Sequence, residues 1–476
     1  MNELDQALNY FKDKKYKEAE NILDKYYSKN IPQHKSIVAM LAEIYIATGK
    51  LKLLYRPNRE QLPFMLEMAG YLSTRKPELA RQLYKKMILI EPNHAGIWNN
   101  LGILYEEIES YDKVIETYKK SVSIQPNLSA FMNLSSYYRV NNNLDEAIFY
   151  AQKAMELDPN YKLGNVAIGT SRLAKGDFGG YSIYSKFGAT KNEWFKQPWD
   201  GTPHPDKKLL LHCDQGLGDS IMYMRYLPYL AEKFKKVNVA TPPELIDLFK
   251  RSFPLEKYQD KAISFEFHRK PCIVEHDYYM VSLYAPYYLN MDFSQIPLSE
   301  GYLVPDEEKV KYYREKFFLT DKLKVGLCWK STSNNERIAI LRNMDLENLK
   351  GIFEIPDIQF YSFQKDRNEQ LASYPQIIKL HREFNTFDDT LAAAKNLDLL
   401  LTIDTSVLHV AAGGGVKTIL MLPYGAEWRW FQDTEKTPWY DSVEIYRQTK
   451  YKDWTDVADR VSATLKNMAE NHKNCN

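Results

Sequence analysis

Cysteine is scarce in this chain, with four in 476 residues, at Cys213, Cys272, Cys328 and Cys475. No Cys-x-x-Cys pair and no histidine at metal-ligand spacing accompanies them, so a disulfide framework and a zinc module are excluded; each reads as a free thiol of a reducing compartment. An excess of one charge is missing too. Lys+Arg of 63 against Asp+Glu of 62 leaves a formal net charge of +1, which removes any global pull toward nucleic acid or anionic lipid and makes anion binding a local matter. Long apolar runs are also absent. No stretch of about 18 uninterrupted apolar residues occurs, and the opening MNELDQALNYFKDKKYKEAE carries charges throughout. The expectation is a cytoplasmic protein without a transmembrane segment.

What is present is a globular composition, 44% hydrophobic and 26% charged, long enough for about three folded units. Tyrosine is in surplus, at 35 residues. The first third carries a repeat. In IWNNLGILYEEIESYDKVIETYKKSVSIQP the residues Trp98, Leu101, Gly102, Tyr105, Val114, Tyr118, Ser121 and Pro126 stand at the spacing of a tetratricopeptide repeat. One register upstream, Phe64, Tyr71, Ala80, Tyr84 and Pro92 take equivalent places; downstream, Phe131, Leu134, Tyr138, Ala147, Ala154 and Pro159 do so with one residue deleted. Each unit reads as two amphipathic helices that cannot bury their apolar stripes alone and must stack. With degenerate units at 4–26 and 37–54, four to five repeats result, in an array over 1–176. Its tyrosines read as packing aromatics, and a concave peptide-binding face is the sharper alternative. Two Asn-x-Ser sequons, at Asn127 and Asn133, read as chance in a chain with no secretion signal.

The stretch 177–206, rich in Gly, Pro and Trp, reads as a connector. Beyond it, apolar runs alternate with turn and helix patterns: LLLHC then DQGLGDS and IMYMRYLPYLAEKF; VNVAT; KVGLCWK; IQFYSFQ; LDLLLTID then TSVLHVAAGG; and KTILMLP. Runs without strict alternation predict parallel sheets covered on both faces. The fold class is therefore α plus α/β, with Rossmann-like domains at 207–305 and 306–476, the last closed by a helix at 453–467.

Ligands of open α/β sheets bind beyond the carboxyl ends of strands, and three such junctions stand out. At Gly216-Leu217-Gly218-Asp219 the glycines permit positive φ and close backbone approach before a helix N-terminus, where Asp219 is either functional or an ordinary cap. At Asp404-Thr405-Ser406, with His409 one turn on and Ala411 to Gly415 following, either a ligand meets the positive end of a helix or these residues cap it around an interior histidine. At Trp329-Lys330-Ser331-Thr332, followed by Arg337 and Arg342, a set of donors suits a diphosphate.

Together these segments resemble a known family. GDFGGYSIY, LLLHxxQGLGDSIxxxRYLPYL, VGLCWK with Arg342 beyond it, FxxFDDTLAAAKNLDLLLTIDTSVLHVAAGGG and LMLPYGAEWRWFQDTEKTPWYDSVEIYRQ follow the order seen in tetratricopeptide-repeat glycosyltransferases related to the bacterial heptosyltransferases. The resemblance implies a GT-B architecture, two Rossmann-like domains facing each other, with the nucleotide sugar held mainly by the second and the acceptor by the first. It implies metal-independent inverting transfer; in keeping, no Asp-x-Asp occurs in the chain. On this basis Asp219 is the expected general base. Lys330, Ser331, Arg342, Asp404, Thr405, Ser406 and His409 are expected around the nucleotide sugar, and Gln215, Gly216, Gly218 and Arg225 in the turn or on the acceptor side. Two departures stand out: Tyr184-Ser185-Lys186-Phe187 where the family has Tyr-Glu-x-Arg, and Asn334-Asn335-Glu336-Arg337 where it has Asn-Asp-x-x-Arg.

The reading is an inverting glycosyltransferase using a nucleotide-diphosphate sugar as co-substrate, with no metal and no other cofactor. Its repeats recruit a protein or glycan acceptor or partner; nucleic acid is not a partner. The alternative is a repeat-scaffold adaptor whose GT-B half binds nucleotide or glycan without turnover. A nicotinamide-dependent epimerase lacks the Tyr-x-x-x-Lys and early Gly-x-Gly-x-x-Gly it needs.

Overall fold

The structure, a computed structural model, describes residues 3–26, 34–49, 59–108, 111–188, 196–213, 216–254, 257, 262–267, 274–331, 342–425 and 427–475. The chain divides into two compact units, 1–138 with 145–164, and 139–144 with 165–476.

The first unit is helical. Helices Leu62–Ser73 and Pro77–Ile90, Ala95–Ile108 and Tyr111–Ile124, and Leu128–Val140 and Leu144–Leu157 form successive antiparallel pairs, preceded by Glu3–Lys12, Tyr16–Leu23 and His34–Thr48. Small residues sit where helices cross. Gly102 leaves room for the Tyr118 ring, since a Cβ there would lie 2.6 Å from Cε1. Ser121 and Ser135 are buried and send their hydroxyls to the carbonyls of Ala95 and Ala147, at 2.8 and 2.7 Å, so a polar atom is buried at no hydrogen-bonding cost. Tyr84, Tyr118 and Tyr137 are buried as packing aromatics.

The second unit holds two sheets, parallel throughout. In the first, strands β1 (Gln197–Pro198), β2 (His204–His212), β3 (Phe234–Thr241), β4 (Ala262–Phe267) and β5 (Tyr278–Val281) lie in the order β1-β5-β2-β3-β4. In the second, β6 (Leu323–Cys328), β7 (Ile358–Ser362), β8 (Ile378–Lys379), β9 (Leu399–Ile403), β10 (Thr418–Leu422) and β11 (Val443–Arg447) lie in the order β11-β10-β9-β6-β7-β8. Counted from its own first strand, the second sheet reads 6-5-4-1-2-3, the doubly wound Rossmann order, and its strand order reverses between β6 and β9. The first sheet reverses likewise, between β2 and β5. Strands β9 and β10 are buried along their whole length, as expected for parallel strands covered on both faces.

Three local features differ from the sequence reading. The supposed connector is part of the fold: helix Gly180–Gly188 packs closely on Lys162–Ala174, with no room for a side chain at Gly180 against the Gly169 carbonyl, and β1 adds an edge to the first sheet. Its Trp199 is buried against Phe234 and Tyr288, with its indole N–H on the Thr202 carbonyl at 2.6 Å. Gly180 thus serves close approach, while Gly201 stands at φ +93°. The expected long helix after β2 is broken into Leu217–Tyr223, a 3₁₀ turn Met224–Tyr226 and Leu227–Ala231, because Pro228 cannot donate within a continuous helix. The closing helix runs over Thr455–Cys475 and covers the second sheet through Val457, Val461, Leu465 and Ala469. The tyrosine surplus is shared as well: Tyr181, Tyr223, Tyr226, Tyr302 and Tyr440 are buried in the α/β unit.

Candidate functional site

Both switch points open onto one cleft of about 500 Å³. The turn after β2 contributes Gly216, Gly218 and Asp219; the end of β6 contributes Cys328, Lys330 and Ser331; the end of β9 contributes Asp404, Thr405, Ser406 and His409; Arg342 and Arg429 complete the charged wall. Gly216 stands at φ +142°, a conformation that L side chains rarely adopt. Gly218 serves contact instead: a Cβ there would fall 2.7 Å from Cδ2 of His409, so only glycine lets helix Leu217–Tyr223 meet helix Ser406–Gly413.

Asp219 is not the helix cap. Gly216 occupies that position, and the Asp219 carboxylate engages Arg429 at 2.6 Å. Nor does a side chain cap the helix after β9: Thr405 holds the cap position without a side-chain bond, and its hydroxyl lies 3.3 Å from that of Thr402. The positive end of an eight-residue helix is therefore presented to the cleft. Asp404, buried, forms an ion pair with Arg342 at 3.3 Å, and Arg342 also donates to the Asp404 backbone carbonyl at 3.2 Å. Burial alone would raise the Asp404 carboxyl, but the Arg342 cation and the adjacent His409 overrule it and hold the group well below the usual carboxylate range.

His409 is an interior histidine that also lines the cleft. Its Nδ1 shares a hydrogen with the Tyr440 hydroxyl at 2.9 Å, its ring stacks on Trp430, and its Nε2 lies 3.7 Å from Asp404. Lys330 lines the cleft with its Nζ on Asp345 at 2.5 Å. The Ser331 amide is held by Asn343, while its buried hydroxyl has no partner among the described residues. Burial pushes the Cys328 thiol up to about 11, which makes it a packing residue rather than a nucleophile.

One expected position falls elsewhere. Arg225 is fully buried away from the cleft, donating to the carbonyls of Met222, Pro297 and Trp439 at 2.9, 3.3 and 2.5 Å, with its cation over the rings of Tyr302 and Tyr440. Its fork ties loops together and faces no acceptor. Gln215 lies outside the described residues, as do Thr332, Arg337, the departure at 334–337 and Cys272.

Sequence reasoning passed over three residues. Gln364, after β7, accepts from the amides of Trp329 and Lys330 at 3.0 and 2.8 Å and donates to the Lys330 carbonyl, so one amide side chain shapes the whole β6 turn. Arg429 is mostly shielded from solvent; desolvation would lower it, yet Asp219 and Glu427 keep it firmly protonated. Glu427 lies 3.7 Å from Arg429 and 3.9 Å from Arg342. Both belong to the loop after β10, a strand end that the junction search did not inspect. Among the described residues no group of three His, Cys, Asp or Glu is placed to hold a metal, and no helix is long and apolar enough to cross a membrane.

Residues 95–128 and 128–161 match the tetratricopeptide repeat family model. The helical unit carries tetratricopeptide repeats. Over nearly its whole length the chain is similar to Protein FlbA of Caulobacter vibrioides, 25% identical over 499 residues that cover 93% of this chain and 82% of that protein. Among solved structures it is similar to a glycosyl transferase family 9 protein from Veillonella parvula, with a TM-score of 0.40, 11% identity, and coverage of 56% of this chain and 98% of that one. It is also similar to the ADP-heptose LPS heptosyltransferase II of E. coli, with a TM-score of 0.38, 15% identity, and coverage of 56% and 99%.

Proposed function

We propose that the α/β unit is an inverting glycosyltransferase that moves a sugar from a nucleotide-diphosphate donor to an acceptor hydroxyl, working in the cytoplasm without a resident cofactor or metal. The observation that carries this reading is the convergence of two switch points on one cleft that is lined by the Asp219 carboxylate, by cations and by a helix N-terminus. In the step, the acceptor oxygen forms a bond to the anomeric carbon as the bond from that carbon to the phosphate oxygen breaks. The hydroxyl proton passes to Asp219, and a positioned base of this kind contributes on the order of 10²- to 10⁴-fold. Charge developing on the departing diphosphate meets Lys330, Arg342, the Ser331 hydroxyl, His409 and the amides that open helix Ser406–Gly413. The repeats bring the acceptor, a protein or glycan, or a protein partner to the unit.

The test is a screen of ADP-, GDP- and UDP-sugars for hydrolysis or transfer, repeated with Asp219→Asn. Turnover with one donor that falls at least about a hundredfold in the variant, while nucleotide binding persists, supports the assignment. Full turnover by Asp219→Asn overturns the base; binding of nucleotide without turnover by any donor supports an adaptor instead.

A further inference from the structure

The charged wall of the cleft is a chain of alternating signs. It runs from Asp219 to Arg429 at 2.6 Å, on to Glu427 at 3.7 Å, to Arg342 at 3.9 Å, to Asp404 at 3.3 Å, and ends at His409, 3.7 Å from Asp404. Its members are unequally held. The Asp219–Arg429 and Arg342–Asp404 pairs are the close ones, with Asp404 at 11% and Arg429 at 13% side-chain exposure. Glu427 touches two arginines of the cleft without lining it itself; at 25% it is scarcely more exposed than Asp219 at 22%, but both its contacts are beyond hydrogen-bonding distance. Each of its two oxygens faces a different guanidinium. One anionic group bridging two arginine forks is the arrangement a diphosphate seeks, since guanidinium planes match phosphate oxygens as they match carboxylates.

We propose that Glu427 is an internal anion that competes with the donor's diphosphate for the Arg342 and Arg429 pair and yields it when donor binds. This rests on the nucleotide-sugar reading and adds a residue and a role to it. Three carboxylates already serve two arginines in the wall, so a diphosphate brings more negative charge than the cations there can balance. The carboxylate that gives way is the one held at the longest distances. Asp219 and Asp404 keep their partners, the first to take the acceptor proton and the second to orient His409 and Arg342. Glu427 thereby weakens donor affinity, and it preserves the spacing of the two arginines by giving them a shared counter-ion.

The experiment is calorimetry with inorganic pyrophosphate, with ADP, GDP and UDP, and with the corresponding uncharged nucleosides, on wild type, Glu427→Gln and Glu427→Ala. Competition for the arginines requires that both variants bind pyrophosphate and the accepted nucleoside diphosphate about tenfold more tightly, the scale of one partly buried ion pair. Nucleoside affinity stays at the wild-type value, whereas a loosened cleft would shift nucleoside and diphosphate together. The thermal midpoint of the free Glu427→Gln protein falls, and its rise on adding pyrophosphate exceeds that of wild type. Equal or weaker diphosphate binding in both variants, with wild-type binding intact, overturns the role of Glu427 and leaves the donor reading standing. Failure of all three proteins to bind pyrophosphate or any nucleoside diphosphate overturns the donor reading, and this inference with it.

Discussion

Asp404→Asn tests the electrostatic core of the site most directly, because it removes a charge and keeps the shape. Arg342 and Asp404 are 21% and 11% exposed, so the pair is screened far less than a surface bridge. Removing one partner of a buried pair costs about 3–5 kcal/mol, and Glu427 near Arg342 offsets part of that, leaving about 2–3 kcal/mol. Urea denaturation followed by tryptophan fluorescence reads it well: of the eight tryptophans only Trp98 is in the helical unit. The sign of the pH dependence follows from the carboxyl, which burial would raise but Arg342 and His409 hold low. A native value below the unfolded one means the stabilisation is complete above the unfolded value near about 4 and is lost as pH falls through the native value. The gap between wild type and Asp404→Asn is therefore full at neutral pH and narrows below about pH 4. A gap under about 0.5 kcal/mol at pH 7, or one that stays constant down to pH 3, refutes the reasoning.

Gly218→Ala forces a methyl against His409 and costs about 1–3 kcal/mol by overpacking, together with nucleotide affinity, as the ring shifts off Tyr440. Gly351→Ala, which meets nothing within 4 Å, is the matched control, and equal effects of the two in denaturation and calorimetry would contradict the close-approach role. Arg225→Lys loses a planar fork that serves three backbone carbonyls and costs about 2–4 kcal/mol; an unchanged urea midpoint would show that the fork does not tie those loops.

Much of the fold is legible in the sequence because both periodicities are strong. The repeats announce themselves through Trp98, Gly102 and Pro126, and the strands β2, β3, β6, β7, β9 and β10 through apolar runs. The strands the sequence hides are mostly edges. β1, β4, β8 and β11 terminate the sheets, where one side is unpaired and a continuous apolar run is not required, and β5 spans only four residues. In the cleft, residues within a few positions of the inspected junctions are placed together: Asp219 beside Gly216 and Gly218, and Asp404 beside His409. Arg429 and Glu427 are invisible to that search because they come from a loop over twenty residues after Asp404, masked by tryptophans. Arg225 misleads for the opposite reason, since a buried arginine held by carbonyls and rings carries no signature that separates it from one facing a ligand.

The same contacts decide what part of the site can adapt. One apolar core runs from β2 and β3 through Tyr302 and Leu408 to β10 and β11, so the two sheets share an interior. Polar ties cross between them as well. The amides of Tyr302 and Leu303 donate to the Gly413 carbonyl at 2.7 and 2.9 Å, Arg251 pairs with the buried Asp388 at 2.5 Å, and the Tyr302 hydroxyl donates to the Ile221 carbonyl at 2.6 Å. Gly218 against His409 leaves no slack at the floor of the cleft. Opening the cleft as a hinge would break these ties and expose that shared core, which costs far more than moving a side chain. On the proposal above, accommodation of an anion therefore falls to Glu427, which is held by long, partly solvated contacts, while the stiff floor keeps Gly218 and His409 in place.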